Sequence, residues 1–110
     1  MVIEVSKNKQ IGILTINRPD SLNAMNREVL LEFINELKKI QSEKDIRVII
    51  ITGSGKKAFI AGADIKLMQK MNREEALEFA NLGQELANLI EKWCERCGYG
   101  MQQLSKCHTL

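Results

Sequence analysis

Apolar and polar residues follow different periods along the chain, and each change of period marks an element. Residues 2–5 are apolar and extended, residues 7–10 are polar, and residues 11–16 are rich in β-branched residues. This succession predicts an antiparallel hairpin. The next segment, residues 17–23, contains the only proline of the chain beside Asp, Ser and Asn. These residue types favour turns, so the segment is predicted to be a loop.

Two longer segments carry apolar residues at a spacing of three and four, which is typical of amphipathic helices. The first follows Asn26, a residue suited to an N-cap. The second runs to about Glu91 and begins with Asn72 and Glu75, which match the capping-box pattern. Between them, residues 46–52 are nearly all apolar and β-branched, which predicts a strand buried on both faces. The order ββαβα predicts the α/β class.

The overall composition excludes several kinds of protein. Hydrophobic residues make up 45% and charged residues 27% of the 110 residues, a balance typical of globular proteins rather than disordered ones. The net charge of +2 gives no basis for nucleic-acid binding. The apolar run at residues 48–51 is far too short to cross a membrane, and residues 1–7 do not resemble a signal peptide. We therefore expect a cytoplasmic protein.

Six residues of four types are confined to residues 93–110. They are Trp93, Cys94, Cys97, Tyr99, Cys107 and His108, and they include every Cys, Trp, Tyr and His of the chain. Such clustering indicates two sequences joined near Lys92. We interpret residues 1–92 as one unit and residues 93–110 as a tail of different origin, from a frameshift or a fusion.

Neither the tail nor the turn at residues 53–57 matches a common ligand site. The turn reads G-S-G-K-K, whereas a phosphate loop needs four residues between its glycines and a Ser or Thr after the lysine. In the tail, Cys94 and Cys97 form a Cys-x-x-Cys pair. The remaining soft ligands, Cys107 and His108, are adjacent, and adjacent residues do not easily reach one tetrahedral zinc ion. We expect no metal site and interpret the cysteines as free thiols.

Residues 61–66 read A-G-A-D-I-K and offer backbone rather than side-chain chemistry. Gly62, flanked by alanines, lets a ligand approach the main chain closely. Asp64 is suited to cap a short helix or turn that begins after Ala63. Backbone N–H groups at such a start attract negative charge, which is what an oxyanion hole requires.

Two motifs then occur together in a fixed order. Residues 16–24 read I-N-R-P-D-S-L-N-A, and residues 48–53 read V-I-I-I-T-G, followed at residues 57–66 by K-A-F-I-A-G-A-D-I-K. This pattern resembles the crotonase (enoyl-CoA hydratase/isomerase) superfamily, and most closely short-chain enoyl-CoA hydratases and 3-hydroxybutyryl-CoA dehydratases. The resemblance covers residues 2–91, less than half of a full-length member. It implies a truncated, N-terminal portion of the crotonase-type spiral of ββα repeats.

The resemblance also implies a site. Family members bind acyl-CoA thioesters and stabilise an enolate-like oxygen with two backbone N–H groups; Ala63 takes the position of the first donor. The residues that take substrate-binding positions are Ser21, Leu22, Asn23, Ala61, Ala63, Asp64, Ile65 and Lys66. Of these, residues 21–23 match a loop along the CoA adenosine and pyrophosphate. No cofactor is implied, because coenzyme A is part of the substrate.

The family's second donor, in a G-G-G segment, and its two catalytic Glu residues belong further along the chain. After Lys92 the sequence reads W-C-E-R-C-G-Y-G-M, which matches neither. We therefore interpret the chain as a truncated enoyl-CoA hydratase-type protein. Its parent activity is hydration or dehydration of a short-chain acyl-CoA thioester, and we expect none from this chain alone. Full-length relatives form trimers and dimers of trimers, which leaves the oligomeric state of this chain open.

Two other functions are compatible with these residues. One is a stand-alone module that binds CoA thioesters or joins a subunit that supplies the acids. The other is a non-catalytic interaction protein whose tail binds metal. Binding of a CoA thioester to the purified chain tests the first function, and zinc content tests the second.

Overall fold

The computed structural model describes the chain from residue 2 to residue 96. Its elements are, in chain order, β1 (Ile3–Asn8), β2 (Ile11–Ile16), a 3-10 turn (Pro19–Ser21), α1 (Arg27–Gln41), β3 (Val48–Gly53), α2 (Ile65–Met68) and α3 (Arg73–Arg96). The α/β class and the order ββαβα are confirmed, with α2 as an additional short helix before α3.

The three strands form one sheet in the order β1–β2–β3. β1 and β2 pair as an antiparallel hairpin, in which Lys9 of the turn has a left-handed φ of 58°. Two-residue hairpin turns require such positive φ values. β3 runs parallel to β2, with Ile11 opposite Val48, because α1 carries the chain back to the starting end of the sheet.

α1 covers one face of the sheet and supplies a large part of the hydrophobic core. Asn26 caps it as predicted, because its side chain accepts a hydrogen bond of 2.8 Å from the backbone N–H of Val29. The buried core residues are Ile3, Leu14, Ile16, Val29, Leu30, Phe33, Ile34, Leu37, Ile40, Ile46, Ile49, Ile51, Leu86 and Trp93. The predicted apolar stripe of the first helix is therefore the face that it buries.

β3 differs from its predicted form in bounds and in burial. The strand is Val48–Gly53 rather than residues 46–52. Ile49 and Ile51 are 2% and 3% exposed, whereas Val48 on the opposite face is 44% exposed. The prediction of burial on both faces is wrong for the described part of the chain, where the helices cover one face and β3 is an edge strand.

α3 is longer than its amphipathic pattern indicated. Its capping box is confirmed, because Asn72 and Glu75 exchange backbone-to-side-chain hydrogen bonds of 3.2 and 2.9 Å. The helix continues past the predicted end near Glu91 to Arg96, and Trp93 is only 6% exposed in the core. The predicted tail thus begins inside α3, and the junction near Lys92 stays a prediction. The other predicted tail features, Cys97, Tyr99, Cys107 and His108, lie outside the described residues.

Neither a membrane-spanning helix nor a metal-binding cluster is present in the described residues. None of the helices in residues 2–96 is long and apolar enough to cross a membrane. The same residues contain no group of three or more His, Cys, Asp or Glu side chains close enough to hold a metal ion.

Candidate functional site

Two loops lie side by side at one end of the sheet. β2 ends at Ile16 and β3 ends at Gly53, and parallel pairing brings these ends opposite each other. The loop after β2, residues 17–26, and the segment after β3, residues 54–64, therefore leave the sheet as neighbours. Open α/β sheets bind their ligands outside the carboxyl ends of such strands.

Asn23 joins the two loops from the inside. Its side chain is 1% exposed, and its Oδ1 accepts a hydrogen bond of 2.8 Å from the N–H of Arg18. Its Nδ2 donates to the carbonyl oxygens of Ser54 and Ala58 at 2.9 and 3.0 Å. A Cβ on Gly53 would lie 2.6 Å from this Nδ2. The glycine that ends β3 is therefore required for the close approach of the loops.

Backbone hydrogen bonds also join the loops next to the A-G-A-D segment. The N–H of Met25 donates to the carbonyl of Gly62, and the N–H of Asp64 donates to the carbonyl of Met25, both at 2.8 Å. This isolated parallel bridge pairs Met25 with Ala63, so the N–H of Ala63 itself points away from Met25. Within residues 2–96 that N–H donates to no protein acceptor, and Ala63 is exposed.

Arg18 and Asp64 form an ion pair beside this bridge. Nη2 of Arg18 lies 3.3 Å from Oδ2 of Asp64, and Nη1 donates to the carbonyl of Ala24 at 2.6 Å. Oδ1 of Asp64 caps α2 by accepting a hydrogen bond of 3.3 Å from the N–H of Leu67. This N–H, followed by the Arg18 guanidinium, lowers the pKa of Asp64 below its usual value. The predicted cap is confirmed.

A cavity of about 320 Å³ opens between the two loops. The first loop lines it with Pro19, Asp20, Leu22 and Asn23, and the segment after β3 lines it with residues 54–58. Two exposed cations, Lys56 and Lys57, therefore stand at its rim. From the sequence alone, these lysines belonged only to a turn that does not match a phosphate loop.

Comparison with known proteins decides the family. Residues 6–94 match the sequence profile described as enoyl-CoA hydratase/isomerase. The chain belongs to this family. The resemblance read from the two motifs is thus confirmed.

Individual members of the enoyl-CoA hydratase/isomerase family agree with this assignment. The chain is 43% identical over 89 residues to crotonyl-CoA hydratase of Syntrophomonas wolfei, covering 81% of this chain and 34% of that protein. It is 37% identical over 87 residues to short-chain-enoyl-CoA hydratase of Clostridium acetobutylicum, covering 79% and 33%. The crystal structure of enoyl-CoA hydratase from Bacillus anthracis superposes with a TM-score of 0.80 at 31% identity, covering 84% and 36%. The chain spans about a third of the length of the curated relatives it matches.

Most of the residues predicted for an enoyl-CoA hydratase/isomerase site lie on the shared surface of the two loops. The N–H of Ala61 donates to the carbonyl of Leu22 at 3.0 Å, which places these two segments in direct contact. Ser21 and Leu22 in the first loop are exposed. Ile65, which is 68% exposed, and Lys66 begin α2 after the second loop segment.

Asn23 lines the cavity, but its side-chain amide faces inward and is hydrogen-bonded to three backbone groups. Its predicted contact with a substrate stays a prediction. Its role is to hold the loop. Arg18, Lys56 and Lys57 were not predicted as site residues. Arg18 belongs to the first motif, but its partner Asp64 lies 46 residues further along the chain.

Proposed function

We propose that this chain forms the part of an enoyl-CoA hydratase-type site that binds the acyl-CoA thioester and supplies the first oxyanion donor. The observation that carries this proposal is the N–H of the exposed residue Ala63, which is turned away from its bridge partner Met25. The curated relatives named for hydration of crotonyl-CoA and short-chain enoyl-CoA support the choice of substrate class.

The chemistry follows from the thioester. Its α-carbon reacts only when negative charge on the carbonyl oxygen is stabilised, and a fixed N–H does this without reorganisation. Loss of one such donor costs about 3–4 kcal/mol in the reaction barrier. Gly62 has a φ of 121° and nothing lies within 4 Å of a Cβ placed on it, so the ligand can approach the backbone here. Since the backbone is the donor, Ala63 needs no polar side chain.

The cavity between the loops suits the other end of the ligand. Coenzyme A carries phosphates, and Lys56 and Lys57 place two positive charges at the rim of the cavity, which Leu22 also lines. Asp20 lies on the same cavity and weakens this attraction. We assign the rim lysines to the phosphates and residues 61–66 to the acyl thioester.

Hydration also needs an acid and a base near the α- and β-carbons. On α1, Glu32 and Glu36 are half-buried, and the backbone N–H of Val2 donates to Glu32. Glu28 and the Glu side chains at residues 74–91 are exposed, and several pair with cations, as Glu85 does with Lys38 at 3.2 Å. We propose that the acids and the second oxyanion donor come from the part of the fold that relatives have and this chain does not match. The 110-residue chain is then expected to bind crotonyl-CoA without hydrating it.

The decisive experiment is a titration of the ¹⁵N-labelled chain with crotonyl-CoA, followed by NMR. We expect the amide proton of Ala63 to move downfield as it bonds the thioester oxygen, whereas free CoA moves signals of the cavity rim and not that of Ala63. Ala63→Pro, which removes the N–H, is compared with Ala63→Ser, which keeps it. The loss of one neutral hydrogen bond weakens binding by about 2- to 10-fold.

Two results would contradict the proposal. One is an unchanged chemical shift of the Ala63 amide at millimolar crotonyl-CoA, whether or not other signals move. The other is equal affinity of the Pro and Ser variants. Loss of the enoyl absorbance above the buffer rate would separately contradict the expectation that the chain alone is inactive.

A further inference from the structure

We propose that Arg18 is a positioning residue that holds the Ala63 segment in the orientation a thioester oxygen requires. The inference rests on the function proposed above, because it concerns the donor of that site. Arg18 does not contact the thioester itself. It acts through Asp64, the residue that follows Ala63.

The guanidinium joins the two sides of the site. Nη1 donates to the carbonyl of Ala24 in the first loop at 2.6 Å, and Nη2 contacts Oδ2 of Asp64 at 3.3 Å. These partners flank the bridge between Met25 and Ala63 on either side. A planar guanidinium presents several N–H donors in a fixed fork, so one side chain can bond both partners at once.

Apart from this side chain, three backbone hydrogen bonds join the Ala63 segment to the first loop, one of them from the N–H of Ala61 to the carbonyl of Leu22 at 3.0 Å. The bridge consists of two backbone hydrogen bonds outside any strand, from Met25 to Gly62 and from Asp64 to Met25. Gly62 is conformationally permissive, and α2 contains four residues, none of them buried. Local structure with so few buried contacts opens readily. One side-chain connection across it therefore has a large effect on the direction of the Ala63 N–H.

Arg18 itself is well anchored. Its N–H donates to Oδ1 of Asn23 at 2.8 Å, and its carbonyl accepts from the N–H groups of Ser21 and Asn23 at 3.0 and 2.8 Å. Its side chain and that of Asp64 are 21% and 20% exposed, so the pair is more shielded than the surface ion pairs of the helices. A fixed base and a shielded pair are what a positioning residue needs.

The first test uses the full chain without ligand. Hydrogen exchange by NMR compares the Asp64 amide with that of Leu14, a core residue that reports global opening. In Arg18→Met we expect the ratio of Asp64 to Leu14 protection to fall by at least about tenfold, the factor for one charge-assisted hydrogen bond. Lys38→Met is the matched control, because it breaks an ion pair of 3.2 Å between α1 and α3. An unchanged ratio in Arg18→Met overturns the proposal.

The second test reads the donor through the ligand. The infrared carbonyl stretch of crotonyl-CoA labelled with ¹³C at the thioester carbonyl is recorded on the bound ligand at saturation. We expect a lowered frequency with the parent chain and with Lys38→Met, a smaller lowering with Arg18→Met, and partial recovery with Arg18→Lys. Equal lowering in the parent chain and Arg18→Met overturns the proposal.

The two proposals fail in different ways. If the parent chain itself does not lower the carbonyl frequency, the proposed oxyanion donor fails, and the exchange ratio alone then decides whether Arg18 orients the segment. If the parent chain lowers the frequency and Arg18→Met does so equally, only the role of Arg18 fails.

Discussion

The most informative perturbation is the removal of the Asn23 amide. This side chain is 1% exposed and makes three hydrogen bonds, which connect the first loop to the segment after β3. Its backbone has a φ of 58°, a left-handed conformation that Asn adopts more easily than most residues. Both Asn23→Ala and Asn23→Gly remove the three hydrogen bonds and leave their backbone partners without this side chain. Asn23→Gly adopts the same φ without strain, whereas Asn23→Ala does not.

The magnitude follows from these two terms. Three hydrogen bonds at about 1 kcal/mol each give about 3 kcal/mol. The left-handed conformation adds about 1 kcal/mol for Ala but not for Gly. Asn23→Ala is therefore expected to lower the free energy of unfolding by about 4 kcal/mol and Asn23→Gly by about 3 kcal/mol. A domain of this size has only about 5–15 kcal/mol to lose.

Urea unfolding followed by far-ultraviolet circular dichroism measures this loss. With a slope of about 2 kcal/mol per molar urea, the midpoint of Asn23→Ala should fall by about 2 M. Asn35→Ala, at an exposed position of α1, is the matched control and should leave the midpoint unchanged or raise it slightly. A loss below about 1 kcal/mol in Asn23→Ala, or one equal to that of the control, would refute the assignment of Asn23 as the connection between the loops.

Three further predictions concern other parts of the site. Gly53→Ala should destabilise the chain by about 1–3 kcal/mol, because its Cβ would lie 2.2 Å from a backbone oxygen. Gly83→Ala in α3 has open space around its Cβ and should stabilise the chain by about 0.5–1 kcal/mol. Urea unfolding measures both changes. Since the pKa of Asp64 is lowered in the folded state, its carboxylate stabilises the fold at pH values above the unfolded pKa of about 3.9, and this contribution is lost as the pH falls through the folded pKa. Below about pH 4, the urea midpoint of Asp64→Asn should therefore fall less steeply with decreasing pH than that of the parent chain. Parallel pH profiles of the two midpoints would contradict this prediction. Replacing Lys56 and Lys57 by Gln should weaken calorimetric binding of CoA but not of pantetheine, which has no phosphate, and an equal effect on both would exclude phosphate binding by this pair.

The sequence predicted those features that depend on periodicity and local caps. The hairpin, the buried stripe of α1 and the caps at Asn26, Asp64 and Asn72 follow from side chains that act within a few residues of their own position. The prediction that β3 is buried on both faces failed because a run of β-branched residues does not determine how many faces of the strand other elements cover. The end of α3 was missed because residues 93–110 were interpreted as a separate tail, whereas Trp93, three residues after Ile90, continues the apolar stripe into the core.

The site was predictable only in part, for the same reason. The motif pointed to Ala63 through resemblance, and Gly62 with Asp64 indicated a backbone site on physical grounds. The inward direction of Asn23 and the partner of Arg18 depend on contacts 35 and 46 residues away, which no local pattern encodes. Side chains in loops are positioned by such distant partners more than by their neighbours in sequence.

The distance between the two loops along the chain also determines when the site forms during folding. The hairpin and the helices rest on local contacts, but the bridge between Met25 and Ala63 closes a long segment that includes all of α1 and β3. Loop closure of this length costs entropy before any contact repays it, so the site should assemble after β3 has paired with β2. A ligand that binds there selects chains that have completed this late step and stabilises them by mass action. Binding at this site is therefore a direct measure of the fraction of molecules that have finished folding.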